Sequence, residues 1–339
     1  MRVLYAGSPA IAVPALEALG NLMLEPAEEA GITLVGLLTN PDSPRGRRGR
    51  PEPTDTGAAA EALSRRFTDR GLPPLPVIKP ESLKGGAREL AAALKPDLLV
   101  SFAYGRIFGP RFLALFPLGG INIHPSLLPR HRGPAPIPQA ILSGDRETGI
   151  TIQRLAPELD SGDILAQERI PLGGRETAAS LSALMARKAA ELLPALLRRM
   201  EAGNLEARPQ DRREASYCSL IAKEDGLIDW SADAAGIDAK IRAYNPWPLS
   251  WTYHGEERLY ILEAEPRAGP SLPGSPPGLV LGVDKGRGIL VQTGNGVLVL
   301  KALQYQARKA LEWRAFLNGA RDFTGARLGL CGAASEGNG

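Results

Sequence analysis

The chain has 339 residues, a length that suggests two domains. Hydrophobic residues make up 44%, charged residues 23%, and the net charge is +3, so a wholly disordered chain is excluded and no chain-wide basic character indicates nucleic acid. Two distant cysteines, Cys218 and Cys331, exclude a disulfide framework and fit a reducing compartment. The sequence shows no signal peptide and no run of about 18 apolar residues, so we expect a cytoplasmic location and no membrane span.

Short apolar strands alternate with helices through the first part of the chain. Strands are predicted at 2–6, 33–39, 75–78, 97–103, 119–124, 151–155 and 164–170, and a long helix at 177–200. Strands joined by helices favour right-handed crossovers and parallel pairing. We therefore predict an α/β domain with a doubly wound, mostly parallel, Rossmann-like sheet over residues 1–202.

The pattern changes after this domain. Residues 203–215 are polar and are predicted to be a linker. Residues 216–330 contain a predicted helix and five short strands, at 249–253, 259–265, 278–283, 288–292 and 297–305. Short strands separated by Gly/Pro turns indicate a small OB-like β-barrel domain. The small, polar tail at 331–339 is expected to be disordered.

The densest group of unusual residues lies between 122 and 162. Asn122 and His124 are two residues apart at the end of a predicted strand, so alternation places them on one side at the ligand-binding edge of the sheet. Asp160 follows in a Leu-Asp-Ser-Gly-Asp turn. An amide and a protonated imidazole can donate to an oxyanion, and a carboxylate can support the imidazolium and move a proton. The trio fits acyl or formyl transfer to an amine, although each residue alone also fits a structural role.

The stretches at 122–133, 149–152 and 159–164 together resemble the signature of the 10-formyltetrahydrofolate-dependent formyltransferases. This resemblance implies that Asn122, His124 and Asp160 are catalytic, that 10-formyltetrahydrofolate is the co-substrate, and that no metal is needed. It also implies a folate site, with a pterin pocket lined by 102–108. The folate-site residues are Ser126, Leu127, Leu128, Pro129, Phe102, Tyr104, Gly105 and Arg106.

Further matches are similar to the branch of that family whose acceptor is methionyl-tRNA. They include the Ala-Gly-Ser-Pro turn at 6–9, Thr-Asn-Pro-Asp at 39–42 and Tyr-Asn-Pro-Trp-Pro at 244–248. An arginine-rich loop after the second strand suits phosphate contacts. The resemblance implies that initiator Met-tRNA is formylated for translation initiation and that the C-terminal domain binds tRNA. The expected tRNA contacts are Arg45, Arg47, Arg48, Arg50, Lys223, Lys301, Arg308 and Lys309.

Other acceptors could use the same trio. A sugar-nucleotide N-formyltransferase or a 10-formyltetrahydrofolate hydrolase would need only a different second substrate, and a catalytically silent RNA-binding protein is a further alternative. The arginine loop and the C-terminal barrel favour tRNA among these. Gly7-Ser8-Pro9 lacks the spacing of a dinucleotide-binding fingerprint. We expect a monomer, with neither DNA nor a membrane as a partner.

Overall fold

A computed structural model describes residues 1–24, 31–44, 49–267 and 274–329. The chain forms two compact units. The first comprises Met1–Pro136, Glu147–Pro171 and Ser182–Ser219, and the second comprises Ile137–Arg146, Leu172–Leu181 and the chain from Leu220 onward. The domain boundaries predicted at 202 and 216 stay predictions, and the predicted tail lies outside the described residues. No described helix has both the length and the apolar character needed to cross a membrane.

The first nine strands belong to the first unit. They are β1 (Arg2–Gly7), β2 (Thr33–Leu38), β3 (Ser43–Pro44), β4 (Pro51–Glu52), β5 (Val77–Ile78), β6 (Leu98–Phe102), β7 (Gly120–His124), β8 (Glu147–Arg154) and β9 (Ile164–Pro171). The helices that begin before residue 202 are α1 (Val13–Leu22), α2 (Asp55–Thr68), α3 (Gly86–Ala93), α4 (Pro110–Leu113), α5 (Pro136–Leu142) and α6 (Ala178–Glu201).

Seven of these strands form one sheet, in the order β5-β2-β1-β6-β7-β8-β9. The neighbours from β5 to β7 are parallel, whereas β8 pairs antiparallel with β7 and β9 antiparallel with β8. The central strand β1 is buried on both faces, as parallel sheets require. The predicted doubly wound, mostly parallel sheet is therefore confirmed. The carboxyl ends of β1, β2, β6 and β7 share one edge, the usual ligand-binding edge of such a sheet.

The second unit contains an antiparallel sheet. Its remaining elements are α7 (Ala234–Ala243), β10 (Ser250–His254), β11 (Glu257–Arg267), β12 (Val280–Asp284), β13 (Gly288–Gln292), β14 (Val297–Tyr305), β15 (Leu311–Glu312), α8 (Trp313–Gly319) and β16 (Leu328–Gly329). The strands pair in the order β12-β13-β14-β11-β10-β16, with β15 on β14. The five strands predicted from the sequence correspond to β10 to β14.

The two ends of this sheet are joined. The Leu328 amide donates to the Gly278 carbonyl at 2.8 Å, and the Val280 amide donates to the Ala326 carbonyl at 2.9 Å. Because β16 also pairs with β10, these bonds link both edges of the sheet and leave a closed barrel. Trp230, Leu259, Phe323 and other apolar side chains fill its interior. The predicted OB-like barrel is confirmed.

Gly278 lies where the barrel closes, with a φ of +84°. A Cβ atom at this position would lie 2.2 Å from the Leu328 carbonyl oxygen. We expect Gly278→Ala to lower the free energy of unfolding by roughly 3 kcal/mol, because a left-handed backbone costs about 1–2 kcal/mol and the overlap adds a similar amount. Urea denaturation measures the loss.

The matched control is Gly255→Ala. Gly255 has a φ of +59° and no atom within 4 Å of the added Cβ, so only the backbone cost of about 1–2 kcal/mol applies. Equal losses in the two variants would show that the contact at Gly278 does not secure the barrel.

Candidate active site

Two polar side chains lie at the carboxyl end of β7. Asn122 is half-buried and His124 is buried. On the antiparallel neighbour β8, their register partners are Gln153 and Thr151. Asn122 and His124 both approach the same third residue, so they lie on one side of the strand, as the alternation predicts.

That third residue is Asp160, in the loop between β8 and β9. Asn122 Nδ2 lies 3.4 Å from Asp160 Oδ1, and His124 Nδ1 lies 3.5 Å from Asp160 Oδ2. The Asp160 side chain is only 7% exposed. The structure thus brings together the three side chains that the resemblance marks as catalytic. Their catalytic roles stay a prediction.

Further donors hold the Asp160 carboxylate. The Gly133 backbone amide donates to Oδ2 at 2.9 Å, and Gln153 Nε2 donates to Oδ1 at 2.9 Å. Together with the Asn122 amide, the described hydrogen-bonding neighbours are all donors, so both carboxylate oxygens act as acceptors. This arrangement fixes the orientation of the carboxylate toward His124.

The His124 ring is engaged on both sides. Its Nε2 lies 2.8 Å from the His131 carbonyl oxygen, which leaves Nδ1 facing Asp160. Burial lowers the pKa of His124, while the Asp160 carboxylate and the His131 carbonyl act in the opposite direction. The 3.5 Å separation from Asp160 is longer than an ordinary N–H···O hydrogen bond. Because the His131 carbonyl accepts from Nε2–H, a protonated ring carries its second N–H on Nδ1. That N–H points toward the side on which Asn122 and Asp160 lie.

Sequence reasoning missed two residues that donate to the Asp160 carboxylate, Gln153 and Gly133. Gln153 is 1% exposed and lies in β8 next to buried Ile152. The strand β8 mixes polar and apolar residues, so the sequence does not single out Gln153; its burial in the structure does, because a buried polar group without a hydrogen-bond partner is costly. Gly133 has a φ of +110°, and a Cβ there would lie 2.4 Å from the Cys218 carbonyl oxygen. Its Arg-Gly context gives no signal in the sequence either.

The predicted folate residues after β7 are tightly held. Ser126 is fully buried, and its hydroxyl donates to the Arg130 carbonyl at 2.6 Å. Leu127 and Leu128 are also buried, and the Leu128–Pro129 peptide bond is cis. The Ser126 hydroxyl thus shapes the loop. Folate contact by this stretch stays a prediction.

The predicted folate residues after β6 form a second loop. Phe102 is fully buried at the end of the strand, and the Tyr104 ring stacks on Phe108 with 5.4 Å between centroids. Gly105 has a φ of +78°, and Arg106 Nη1 donates to the carbonyls of Pro80 and Glu81 at 2.9 and 2.7 Å. The Arg106 guanidinium therefore anchors the loop, and its contact with folate stays a prediction.

Two buried oxygen atoms at this edge have no hydrogen-bond partner among the described residues. They are Asn40 Oδ1, just after β2, and the Tyr104 hydroxyl, just after β6. The two residues are joined, because Asn40 Nδ2 donates to the Tyr104 carbonyl at 3.1 Å. Buried polar atoms normally have partners, so the lack of one at these two oxygens is unusual.

The predicted tRNA-binding residues fall into three groups. Arg45, Arg47 and Arg48 lie outside the described residues. Arg50, Lys223 and Lys309 are exposed. Lys301 Nζ lies 2.6 Å from a Glu265 carboxylate oxygen, and Arg308 Nη2 lies 2.7 Å from Glu257. The charges of these last two are partly neutralised by glutamates, and tRNA contact by all eight stays a prediction.

Cys218 lies beside the site but is not exposed. Its Sγ accepts from the Ala135 amide at 3.3 Å, and burial raises the pKa of its thiol. A thiol with a raised pKa is a poor nucleophile, which fits a structural role. Across the described ranges, no cluster of three or more His, Cys, Asp or Glu side chains is placed to hold a metal ion.

Known families match most of the chain. A formyl transferase family matches residues 12–197, and a formyl transferase C-terminal domain family matches residues 220–321. The methionyl-tRNA formyltransferase of Treponema denticola is 49% identical over 328 residues, which cover 95% of this chain and 98% of that protein. The chain belongs to the methionyl-tRNA formyltransferase family. A family member from Chloroflexus aggregans is 40% identical, over 94% of this chain and 97% of its own length.

Solved structures share the fold at lower identity. The N-formyltransferase from Helicobacter canadensis, in complex with folinic acid and dTDP-3-aminofucose, has a TM-score of 0.61 and 19% identity, over 88% of this chain and 98% of that chain. HypX from Aquifex aeolicus, in complex with tetrahydrofolic acid, has a TM-score of 0.60 and 18% identity, over 96% of this chain and 48% of that chain. At these identities the likeness concerns the fold alone.

Proposed function

We propose that this protein transfers the formyl group of 10-formyltetrahydrofolate to the α-amino group of methionine on initiator tRNA. The product is N-formylmethionyl-tRNA, which is used in translation initiation. The observation that carries the proposal is the meeting of Asn122, His124 and Asp160 at the carboxyl edge of the sheet. It stands in a chain 49% identical to a named methionyl-tRNA formyltransferase over nearly its full length.

The reaction needs stabilisation of an oxyanion and removal of a proton. The α-amine attacks the formyl carbon, a C–N bond forms, and the carbonyl oxygen gains negative charge. The Asn122 amide and protonated His124 donate to that oxygen, which stabilises it. Asp160 accepts the proton of the attacking amine, directly or through water. The bond between the formyl carbon and N10 of the folate then breaks, and N10 takes up a proton.

We propose that the pterin ring of the co-substrate binds at this edge of the sheet. The unpartnered Asn40 Oδ1 and Tyr104 hydroxyl are buried groups that a ligand with N–H donors would satisfy. The stretches 102–106 and 126–129 would hold the folate. The bound folate supplies the activated formyl group, while the chain supplies orientation and the acid–base groups.

The acceptor side relies on basic residues. We propose that the arginine-rich stretch 45–50, in which Arg50 is exposed, contacts tRNA phosphates. Lys223, Lys301, Arg308 and Lys309 are proposed as further contacts. Lys301 and Arg308 would then exchange a glutamate partner for a phosphate. Because translation initiation is cytoplasmic, we also propose a cytoplasmic location. A monomer that binds neither DNA nor a membrane completes the proposal.

The test is formyl transfer from 10-formyltetrahydrofolate to initiator and elongator Met-tRNA, assayed side by side. We expect transfer that prefers the initiator. Arg47→Ala is expected to lower kcat/KM about ten-fold and to reduce its dependence on salt, because a charge-assisted phosphate contact is lost. The control is Arg70→Ala, which removes an equal charge at an exposed site at the end of α2.

Other outcomes identify other acceptors. Hydrolysis of the formyl-folate without transfer to either tRNA would assign the site to a hydrolase. Transfer to an amino-sugar nucleotide would assign it to a sugar N-formyltransferase. RNA binding with no turnover of the folate would overturn the enzymatic proposal altogether.

A further inference from the structure

The Gln210 side chain joins the loop of Asp160 to a buried arginine. Gln210 Nε2 lies 2.9 and 2.7 Å from the backbone carbonyl oxygens of Asp160 and Gly162 and 3.1 Å from Gln153 Oε1, so its two N–H groups serve three acceptors and one N–H is shared. Gln210 Oε1 accepts from Arg132 Nε and Nη2 at 3.1 and 2.8 Å. Gln210 lies in the polar segment that the sequence predicts to be a linker, so the segment has a specific contact with the site.

Both ends of the Gln210 carboxamide are needed. One end meets carbonyl oxygens, which require a donor, and the other meets a guanidinium, which requires an acceptor. A glutamate at this position would keep the contact with Arg132 but would set an oxygen against the carbonyls of Asp160 and Gly162. A methionine side chain would have a similar length, but it would neither donate to the carbonyls nor replace the oxygen that accepts from Arg132.

Burial of the charged Arg132 side chain costs free energy. It is 2% exposed, and its Nη1 donates to the Tyr217 hydroxyl at 3.0 Å. Its backbone is also fixed, because its amide donates to the Ser216 carbonyl and its carbonyl accepts from the Cys218 amide, both at 2.8 Å. A buried guanidinium requires satisfied donors, which Gln210 and Tyr217 provide, with Glu158 Oε1 3.9 Å from Nη1.

The residues on either side of Arg132 contact the proposed catalytic groups. The next residue, Gly133, donates its backbone amide to Asp160 Oδ2 at 2.9 Å. The preceding residue, His131, lies with its carbonyl 2.8 Å from His124 Nε2, and its own amide donates to Ser216 Oγ at 2.9 Å. The fixed position of Arg132 therefore sets the partners of both Asp160 and His124.

The backbone of Asp160 needs such support. Its φ is +54°, a left-handed conformation that non-glycine residues adopt only uncommonly, Asn and Asp more readily than the others. Two residues further on, a Cβ at Gly162 would lie 1.9 Å from the Arg154 carbonyl oxygen, so the chain passes very close to β8. The hydrogen bonds from Gln210 reach the carbonyls of these two residues.

We infer that Gln210 is a positioning residue for formyl transfer, which holds Asp160 in place opposite Asn122 and His124 through its bonds to the Asp160 loop, Gln153 and Arg132. This inference rests on the proposed function. Gln210 does not reach the reacting atoms in this scheme, because its contacts are with the backbone and the side chains that surround Asp160. The inference makes the predicted linker part of the catalytic apparatus.

Kinetics of Gln210→Met and Gln210→Glu test the inference. We expect kcat for transfer to Met-tRNA to fall about 10- to 100-fold in Gln210→Met, with both KM values within about three-fold of wild type. Gln210→Glu should fall at least as far, because its carboxylate repels the two carbonyls. The control is Gln139→Met, whose carboxamide makes a helix-surface bond to Ser143 Oγ. Thermal midpoints are measured in parallel.

A second readout does not depend on the acceptor. NMR titration of the three histidines follows the His124 ring directly. The titratable groups that act on this ring are Asp160 from the β8–β9 loop and His131 from the segment after β7. The Cys218 thiol lies next to the His131 carbonyl, 3.8 Å from its oxygen. If Gln210→Met lets the Asp160 carboxylate move away, the pKa of His124 falls below that of wild type, since the carboxylate raises it.

The two readouts separate the two proposals. A lower kcat with unchanged KM values and a lower His124 pKa supports the positioning role. An unchanged His124 pKa, or a loss confined to KM or to thermal stability, overturns it even if wild type formylates Met-tRNA. A wild type that does not transfer to tRNA overturns the proposed function, while the titration still decides the role of Gln210.

Discussion

Asp160→Asn is expected to lower kcat for formyl transfer about 100-fold or more, while KM for both substrates stays within about three-fold. The substitution keeps the size of the side chain but removes its charge. Gly133 donates to one carboxylate oxygen, and Gln153 and Asn122 to the other. An amide nitrogen at this position therefore faces a donor whichever way it is turned. The variant also lacks the base that is proposed to take the amine proton.

The same variant has an expected effect on pH dependence. His124 stays buried, which lowers its pKa, but loses the carboxylate that raises it. The pKa of His124 in Asp160→Asn therefore lies below that of wild type, and the limb of the kcat profile that reports this ring moves to lower pH. The control Asp211→Asn loses only an exposed ion pair with Arg213. Wild-type kcat and an unchanged profile in Asp160→Asn would contradict the assigned role.

The sheet could be predicted because most of its strands are short apolar runs in the sequence. The strands β1, β2, β6 and β7 lie within a residue or two of their predicted bounds. In contrast, β8 begins at Glu147, earlier than the predicted start at 151. Its first residues are not an apolar run, and they are strand because they pair with β9, for example Glu147 with Pro171. Pairing partners of this kind are set by tertiary structure, which local pattern does not contain.

Only half of the candidate site follows from local pattern. Alternation along one strand is enough to place Asn122 and His124 together. Asp160 reaches them because β8 and β9 form an antiparallel pair whose connecting loop returns to the edge of the sheet. Nothing in residue spacing predicts that return. The chemistry of the three side chains suggested the grouping, and the family resemblance implied it. The contacts of Gln210 could not be predicted either, because the polar composition of its segment does not indicate which part of the protein the segment packs against.

The same limit applies to the basic residues of the second unit. Lys301 and Arg308 stand out in the sequence as positive charges late in the domain. Their partners Glu265 and Glu257 are 36 and 51 residues away along the chain. Antiparallel pairing of β11 with β14 brings these charges together. A count of basic residues in the sequence therefore overstates the positive charge that is free of a glutamate partner at Lys301 and Arg308.

Asn122→Ala is expected to lower kcat about 100-fold or more, because an oxyanion-hole donor is lost. Asn122→Asp is expected to lose at least as much. It replaces the donor with a second carboxylate where Asn122 Nδ2 lies 3.4 Å from Asp160 Oδ1, and two carboxylates so close share a proton. Single-turnover transfer at saturating substrates measures both. Asn204→Ala, at an exposed position after α6, is the control.

The double variant, Asn122→Ala with Asp160→Asn, tests whether the two residues act as one catalytic unit or contribute independently to the rate. If Asn122, His124 and Asp160 act together on one transition state, the double variant loses less than the product of the two single losses, because the first substitution already disables the step that the second serves. A fully multiplicative loss would mean that Asn122 and Asp160 contribute independently to the rate-limiting transition state. Near-normal turnover in both Asn122→Ala and His124→Ala, with native folding, would place the oxyanion donors elsewhere.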